Sequence, residues 1–140
     1  MIDILIPTYN RQYDLKKNII HLDKLIKDED LNIHFRILVS DNCSSDDTLP
    51  ELERLRSCIG VKLTVFKQNK NIGLEKNAIF LLQKASANFV MYIGDDDFLP
   101  KGYLAHVVKA IKADTSICSV VPGTAALYSD GTITITSERT

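Results

Sequence analysis

Two hydrophobic periodicities alternate along the chain. Short apolar runs rich in β-branched and aromatic residues are typical of buried strands, whereas apolar residues three and four apart are typical of amphipathic helices. Strand-like runs cover residues 2–7, 35–40, 61–66 (where apolar and polar side chains largely alternate) and 89–93. Helical stripes follow them over residues 13–27, from a cap at Ser45 or Asp46, over residues 74–85, and from Pro100 or Lys101. This α/β order predicts a mostly parallel central sheet with helices on both faces.

The pattern changes towards the C-terminus. Residues 125–128 and 132–136 flank Ser129-Asp130-Gly131, and Asp-Gly is a favoured hairpin turn. We therefore expect a C-terminal β-hairpin, with no further element in residues 137–140. The whole pattern predicts a single domain over residues 1–140 that is incomplete at its C-terminus.

Composition mainly excludes classes of function. The 140 residues are 45% hydrophobic and 25% charged, with a net charge of −1, as in ordinary globular domains. No basic face is indicated, so nucleic acid is not an expected partner. The three cysteines form no CxxC pair, which argues against a zinc site or a disulfide framework. No transmembrane segment is predicted, because no apolar run approaches about 20 residues, and Asp3 argues against a signal peptide.

Three consecutive carboxylates, Asp95, Asp96 and Asp97, follow Gly94 at the end of the fourth strand-like run. Like charges this close together repel one another. A hard divalent cation would relieve the repulsion, since Mg²⁺ and Mn²⁺ are bound by carboxylates together with substrate phosphates. The pattern therefore predicts a metal–diphosphate site. The alternative is a solvated turn with an acidic helix N-cap, because Asp is favoured in both places.

Polar segments follow all four predicted strands. In an open α/β sheet, ligands bind beyond the carboxyl ends of the strands, and parallel strands bring those ends to one edge. The four segments are Pro7-Thr8-Tyr9-Asn10-Arg11, residues 41–48, residues 68–74, and Gly94-Asp95-Asp96-Asp97. Together they predict one polar binding site at that edge.

In this order, the segments resemble the nucleotide-binding half of the family-2 glycosyltransferases, which have the Rossmann-like GT-A fold. The resemblance runs from Ile4 to about Gly131 and includes Asn69-Lys70-Asn71-Ile72-Gly73, Asn77 and Pro100. It implies transfer of a sugar from a nucleotide-diphosphate sugar, a UDP-sugar first, to an acceptor hydroxyl by an inverting displacement. Mn²⁺ or Mg²⁺ is the implied cofactor, and a glycan, a lipid-linked sugar or a protein is the implied acceptor. A cytoplasmic location, at or near the inner face of the membrane through peripheral association, is also implied.

The resemblance assigns roles to particular residues. Asp41 would accept a hydrogen bond from the base, Asp95 would lie near the ribose hydroxyls, and Asp96 or Asp97 would bind the metal. Lys76 stands where many relatives have Arg, which keeps the charge but loses the bidentate geometry. The implied nucleotide-binding residues are Pro7, Thr8, Tyr9, Arg11, Asp41, Asn71, Gly73, Lys76, Asn77, Asp95 and Asp96, and the implied metal ligands are Asp96 and Asp97.

Four of these residues could instead have a purely structural role. Tyr9 could cover the first helix, Asp41 could be a loop cap for the following helix, Gly73 could serve a positive φ or a close backbone approach, and Asn77 could bind neighbouring backbone. The catalytic base is unassigned, because in the resembled family it comes from the acceptor-binding half. We therefore expect residues 1–140 to bind donor and to transfer sugar poorly. The alternative functions are a non-catalytic nucleotide-sugar-binding module and a nucleotidyltransferase.

Overall fold

The computed structural model describes residues 1–120, 124–127 and 131–137. The elements in chain order are β1 (Ile2–Thr8), α1 (Gln12–Asp28), β2 (Phe35–Asp41), α2 (Thr48–Cys58), β3 (Lys62–Lys67), α3 (Leu74–Lys84), β4 (Phe89–Tyr92), α4 (Tyr103–Ala113), β5 (Thr124–Leu127) and β6 (Ile133–Ser137). The chain divides into two compact units, Met1–His106 and Val107–Thr140. Among the described residues, none of the helices has the combination of length and hydrophobicity that a membrane span requires.

The first unit is built on a four-stranded parallel sheet in the order β3-β2-β1-β4. The register pairs Ile2 with Phe35 and Thr8 with Asp41, so β1 and β2 end together at one edge. Parallel strands need crossover connections, and α1, α2 and α3 supply them. The predicted parallel α/β sheet is confirmed, and it brings the four polar segments to one edge.

Helices cover both faces of the sheet. On one face, Leu5 and Leu38 pack with Leu81 of α3, and Phe66 and Ala85 extend this cluster. Alternate strand residues point to the other face, and those are fully buried as well (Ile4, Ile6, Ile37 and Val39). The strand predicted over residues 61–66 is confirmed as β3, and Phe66, on the otherwise polar side of its alternation, packs against the cluster that includes Leu81 of α3.

Several predicted element ends were shifted. Helix α2 begins at Thr48 rather than after a cap at Ser45 or Asp46, although the Asp46 carboxylate accepts a 3.0 Å hydrogen bond from the Thr48 amide. Helix α4 begins at Tyr103, because Gly102 has a φ of +85° and its N–H donates to Glu29 over 2.7 Å. The predicted hairpin is confirmed as antiparallel β5 and β6, and residue 128 of its predicted first strand and residues 129 and 130 of its predicted turn lie outside the described residues.

A buried ion pair joins β1 to β2 near the amino-terminal edge of the sheet. Asp3 is fully buried, and Arg36 binds its two oxygens over 2.8 and 2.7 Å. The amides of Ser86 and Ala87 donate to the same carboxylate over 2.9 and 3.0 Å. Burial by itself raises the pKa of Asp3, but the hydrogen bonds from Arg36 and the two amides outweigh it and lower that pKa below 3.8.

Candidate functional site

A cleft of about 550 Å³ lies at the carboxyl edge of the parallel strands. Segments that follow β1, β2, β3 and β4 all contribute to its wall. The lining residues are Pro7, Thr8, Tyr9, Arg11, Asn42, Asn71, Gly73, Leu74, Asn77, Gly94, Asp95 and Asp96. The size suits a small-molecule ligand.

Thr8 and Asp95 connect the two strands that border the cleft. The Thr8 hydroxyl, which is almost fully buried, donates to Oδ2 of Asp95 over 2.9 Å. Burial raises the pKa of the Asp95 carboxyl, and the charges of Asp96 and Asp14 add to the rise. The Thr8 hydrogen bond and the Arg11 charge oppose it without cancelling it. The cleft thus holds a half-buried carboxyl beside a second acid, which is the electrostatic situation that a cation would relieve.

The loops after β1 and β2 bind each other. The Asn10 amide donates to the Ser44 hydroxyl over 2.8 Å, and the Ser45 amide donates to the Asn10 side chain over 2.8 Å. Asn10 and Cys43 both have positive φ, of 53° and 64°, which these contacts stabilise. Tyr9 remains 44% exposed on this rim.

Asn42 connects the loops after β2 and β3. Its side-chain nitrogen Nδ2 donates to Oδ1 of Asn71 over 3.0 Å, and its side-chain oxygen Oδ1 accepts from the Ile72 backbone amide over 2.9 Å. Asn71 in turn accepts from the Gly73 amide over 2.9 Å. Asn42 was not among the predicted nucleotide-binding residues, although its place directly after a strand, beside Asp41, marked it as a residue of the same edge.

Asn77 anchors the start of α3 to β2. The Ser40 hydroxyl donates to Asn77 over 2.6 Å, and Asn77 donates to the Ser40 carbonyl over 2.9 Å. The structural alternative for Asn77 is therefore present, and the residue also lines the cleft.

Gly73 has a φ of +84°, which its structural alternative allowed for, and it precedes helix α3, whose first residues line the cleft. Helix N-termini favour negatively charged groups.

The acidic segment after β4 is tightly turned. The Gly94 amide donates to Oδ2 of Asp97 over 2.9 Å. A Cβ on Gly94 would lie 2.7 Å from that oxygen and 3.3 Å from Oδ1 of Asp96, so the two exposed carboxylates converge where Gly94 has no side chain. In the part of the chain that the structure describes, no three His, Cys, Asp or Glu side chains group closely enough to hold a metal ion by themselves.

Three predicted site residues lie outside the lining of the cleft. Asp41 is fully buried, and its carboxylate accepts from the Ser44 amide over 3.3 Å and from the Ser44 hydroxyl. The predicted cap of the following helix is not formed by Asp41, because α2 begins at Thr48. Lys76 is exposed on α3, and Asp97 is exposed beside Gly94. The other predicted nucleotide-binding residues all line the cleft, and the additional lining residues are Asn42, Leu74 and Gly94. The ligand roles of all these residues stay predictions.

A parallel Rossmann-like sheet with a polar cleft at the carboxyl edge and acids after its fourth strand defines a protein of the GT-A class. The chain belongs to glycosyl transferase family 2, whose model matches residues 3–137. The resemblance found in the sequence is therefore confirmed.

Two relatives with established names are similar over most of this chain. One is the GalNAc(5)-diNAcBac-PP-undecaprenol beta-1,3-glucosyltransferase of Campylobacter jejuni, 33% identical over 108 residues, which are 77% of this chain and 33% of the relative. The other is the poly(ribitol-phosphate) beta-N-acetylglucosaminyltransferase TarS of Staphylococcus aureus, 29% identical over 98 residues, 70% of this chain and 16% of TarS. The chain thus spans a third or less of these two proteins.

Solved structures agree with the fold. The crystal structure of S. aureus TarS 1–349 in complex with UDP-GlcNAc matches 80% of this chain and 31% of its own, with a TM-score of 0.71 and 26% identity. The mannosyltransferase PcManGT from Pyrobaculum calidifontis, in complex with GDP-Man and Mn²⁺, matches 83% of this chain and 33% of its own, with a TM-score of 0.71 and 22% identity. The second likeness concerns the fold alone.

Proposed function

We propose that this chain is the donor-binding part of a glycosyltransferase that uses a UDP-sugar and transfers the sugar to a hydroxyl of a glycan, a lipid-linked sugar or a protein. The observation that carries the proposal is the cleft, in which segments after all four parallel strands place hydrogen-bonding groups, two acids and a helix N-terminus together. The similarity to TarS, whose structure contains UDP-GlcNAc, supports UDP as the nucleotide to test first.

The proposed nucleoside pocket lies between the loops after β1 and β2. The exposed ring of Tyr9 offers a stacking face, and Arg11 offers a cation. Asp41 would accept from the uracil N3–H after exchanging its contact with Ser44. Since Thr8 binds Oδ2 of Asp95, we propose that Oδ1 accepts from the ribose hydroxyls.

The proposed diphosphate position lies between the N-terminus of α3 and the acids after β4. Gly73 lines the cleft without a side chain, so phosphate oxygens can approach the backbone there. The residues present fit a divalent cation, because Asp96 and Asp97 present converging carboxylate oxygens and Mg²⁺ or Mn²⁺ completes its shell with phosphates and water. Asp96 and Asp97 would bind the ion, which when bound neutralises charge on the leaving diphosphate.

The chain's own residues would then orient the donor rather than activate the acceptor. Orientation alone contributes to the rate by holding the reacting carbon in line with an incoming hydroxyl. We propose an inverting displacement, with a base outside the 140 residues removing the acceptor proton. Residues 1–140 by themselves would bind donor and transfer sugar slowly.

Calorimetric titration of UDP tests the proposal, with MnCl₂ or with EDTA, on the wild-type protein and on Asp96→Ala and Asp97→Ala. We expect binding that is strengthened by Mn²⁺ in the wild type and loses that gain in at least one variant. Asp28→Ala serves as the matched control, because Asp28 is the last residue of α1 and the cleft lies near the first turn of that helix. This variant should bind UDP as the wild type does.

The outcomes separate the candidate functions. Failure to bind UDP, GDP and dTDP under any condition would overturn the proposal. Binding of UDP by a longer natural form of the protein that transfers no sugar to any acceptor would favour the non-catalytic binding module instead.

A further inference from the structure

The acidic loop, residues 94–99, is bound at both ends by one face of α1. At its start, Asn18 Nδ2 donates to the Gly94 carbonyl over 2.8 Å. At its end, the His21 ring nitrogen Nε2 lies 2.7 Å from the Leu99 carbonyl. Because a carbonyl oxygen only accepts, Nε2 carries the proton in this contact. Asn18 and His21 are three positions apart and therefore share one side of the helix.

The Asn18 contact determines more than the place of one carbonyl. The peptide plane that contains the Gly94 carbonyl also contains the Asp95 amide, so its orientation sets the direction in which Asp95 begins. The same carbonyl accepts from the Asp97 amide over 3.3 Å, and the Gly94 amide donates to the Asp97 carboxylate. Glycine allows many backbone conformations, so external contacts must select one. Asn18 is thereby linked through Gly94 to Asp95 and Asp97.

His21 restrains the far end of the loop in the same manner. Besides its hydrogen bond to Leu99, its ring contacts that of Phe98, with centroids 5.4 Å apart and planes tilted by 60°. The six-residue loop is thus attached to a regular 17-residue helix at both ends. A loop restrained at both ends loses less conformational freedom when its carboxylates bind a ligand.

The presence of an asparagine at the buried position 18 is not explained by a contribution to the stability of the fold. Its side chain is fully buried, and its Oδ1 has no hydrogen-bond partner within the described residues. A buried polar atom without a partner is unfavourable, and an apolar side chain of similar size avoids that cost. Its contact with Gly94 is the interaction that an apolar residue could not make.

We propose that Asn18 and His21 are positioning residues that hold the acidic loop in the conformation that binds the metal–diphosphate group. The proposal rests on the proposed function, and it goes beyond it in assigning a role to α1. Neither residue lines the cleft. Both act through the backbone of residues 94–99.

The test compares Asn18→Leu and His21→Leu with His21→Gln, which keeps an N–H donor, and with Lys17→Ala, an exposed neighbour on α1. The affinity for UDP is measured with MnCl₂ and with EDTA. We expect the Mn²⁺-dependent gain in affinity to fall about tenfold in Asn18→Leu, as for other residues that orient metal ligands. It should fall by a smaller factor in His21→Leu, recover in His21→Gln and stay unchanged in Lys17→Ala. The affinity in EDTA should not change.

Two further measurements separate this proposal from a structural role and from the proposed function. The thermal midpoint of Asn18→Leu should equal or exceed that of the wild type, whereas a structural residue would lower it. Amide hydrogen exchange of residues 95–98, measured without ligand, should accelerate in both Leu variants. A lowered midpoint with unchanged Mn²⁺ dependence would overturn the proposal, as would unchanged exchange in both variants. If wild-type protein binds no UDP but exchange accelerates, the proposed function fails while the attachment of the loop stands.

Discussion

Replacement of Asp3 by Asn tests how much of the stability of the sheet depends on one buried charge. In the wild type, Oδ1 of Asp3 accepts from Arg36 Nε, and Oδ2 accepts from Arg36 and from the Ser86 and Ala87 amides. Asparagine has a single acceptor oxygen. If that oxygen serves the two amides, its NH₂ group faces the Arg36 guanidinium, so donors meet donors and a cation loses its counter-charge.

The size of the effect follows from burial. Asp3 is fully buried, whereas the Arg36 side chain is 22% exposed and can recover part of its hydration. Removing one partner of a buried ion pair costs about 3–5 kcal/mol. We expect the lower end, about 3 kcal/mol of unfolding free energy, because Arg36 reaches solvent. The exposed Asp28→Asn control should change stability by less than about 0.5 kcal/mol.

The assay is urea unfolding of the wild type and Asp3→Asn between pH 7 and pH 3. The pKa of Asp3 in the folded state lies below its unfolded value of 3.8, so its contribution is complete above pH 3.8 and disappears as the pH falls through the folded-state pKa. The difference between the two proteins should stay constant from pH 7 to about pH 5 and narrow below pH 3.8. Other acid-sensitive carboxyls, such as Asp23, act in both proteins and cancel.

Either of two results would refute this reasoning. A difference below about 1 kcal/mol at pH 7 would show that hydration of Arg36 replaces the pair almost completely. A difference that does not narrow in acid would show that the ionised form of Asp3 is not the source of the stability.

Three further predictions concern the cleft. Thr8→Val removes the hydroxyl that binds Asp95 and should weaken UDP binding about tenfold by calorimetry, whereas Thr8→Ser should retain it. Gly73→Ala meets no atom within 4 Å, but its φ of +84° and ψ of 158° should cost about 1–3 kcal/mol in thermal unfolding; an unchanged midpoint would contradict this. Asn42→Leu removes both hydrogen bonds to the loop after β3 and should speed amide exchange at Ile72 at least several-fold, while Asn69→Leu, exposed in that loop, should not.

The cleft shows how much of a binding site can be predicted from local sequence patterns. Apolar periodicity predicted the parallel sheet, and a parallel sheet places the segments after all its strands at one edge, so most of the lining was predictable. Which residues of each segment line the cleft was less predictable. Asp41 was chosen and Asn42 was not, yet Asn42 lines the cleft and Asp41 is turned towards Ser44. Neighbouring residues at a strand end point in different directions, so the two differ in whether they line the cleft.

By itself, the sequence determined the alternation of strands and helices and the edge at which polar side chains collect, and it indicated a backbone requirement at Gly73, because these depend on periodicity and on backbone sterics within a few residues. Only the tertiary structure decided the partners of its buried polar groups. Asp3 meets Arg36 across 33 positions, and Asn18 meets the Gly94 carbonyl across 76. Each of these pairs depends on how elements distant in the chain pack together. The spacing of residues along the sequence does not predict such packing. The packing that brought them together also shapes the loop that carries the three acids.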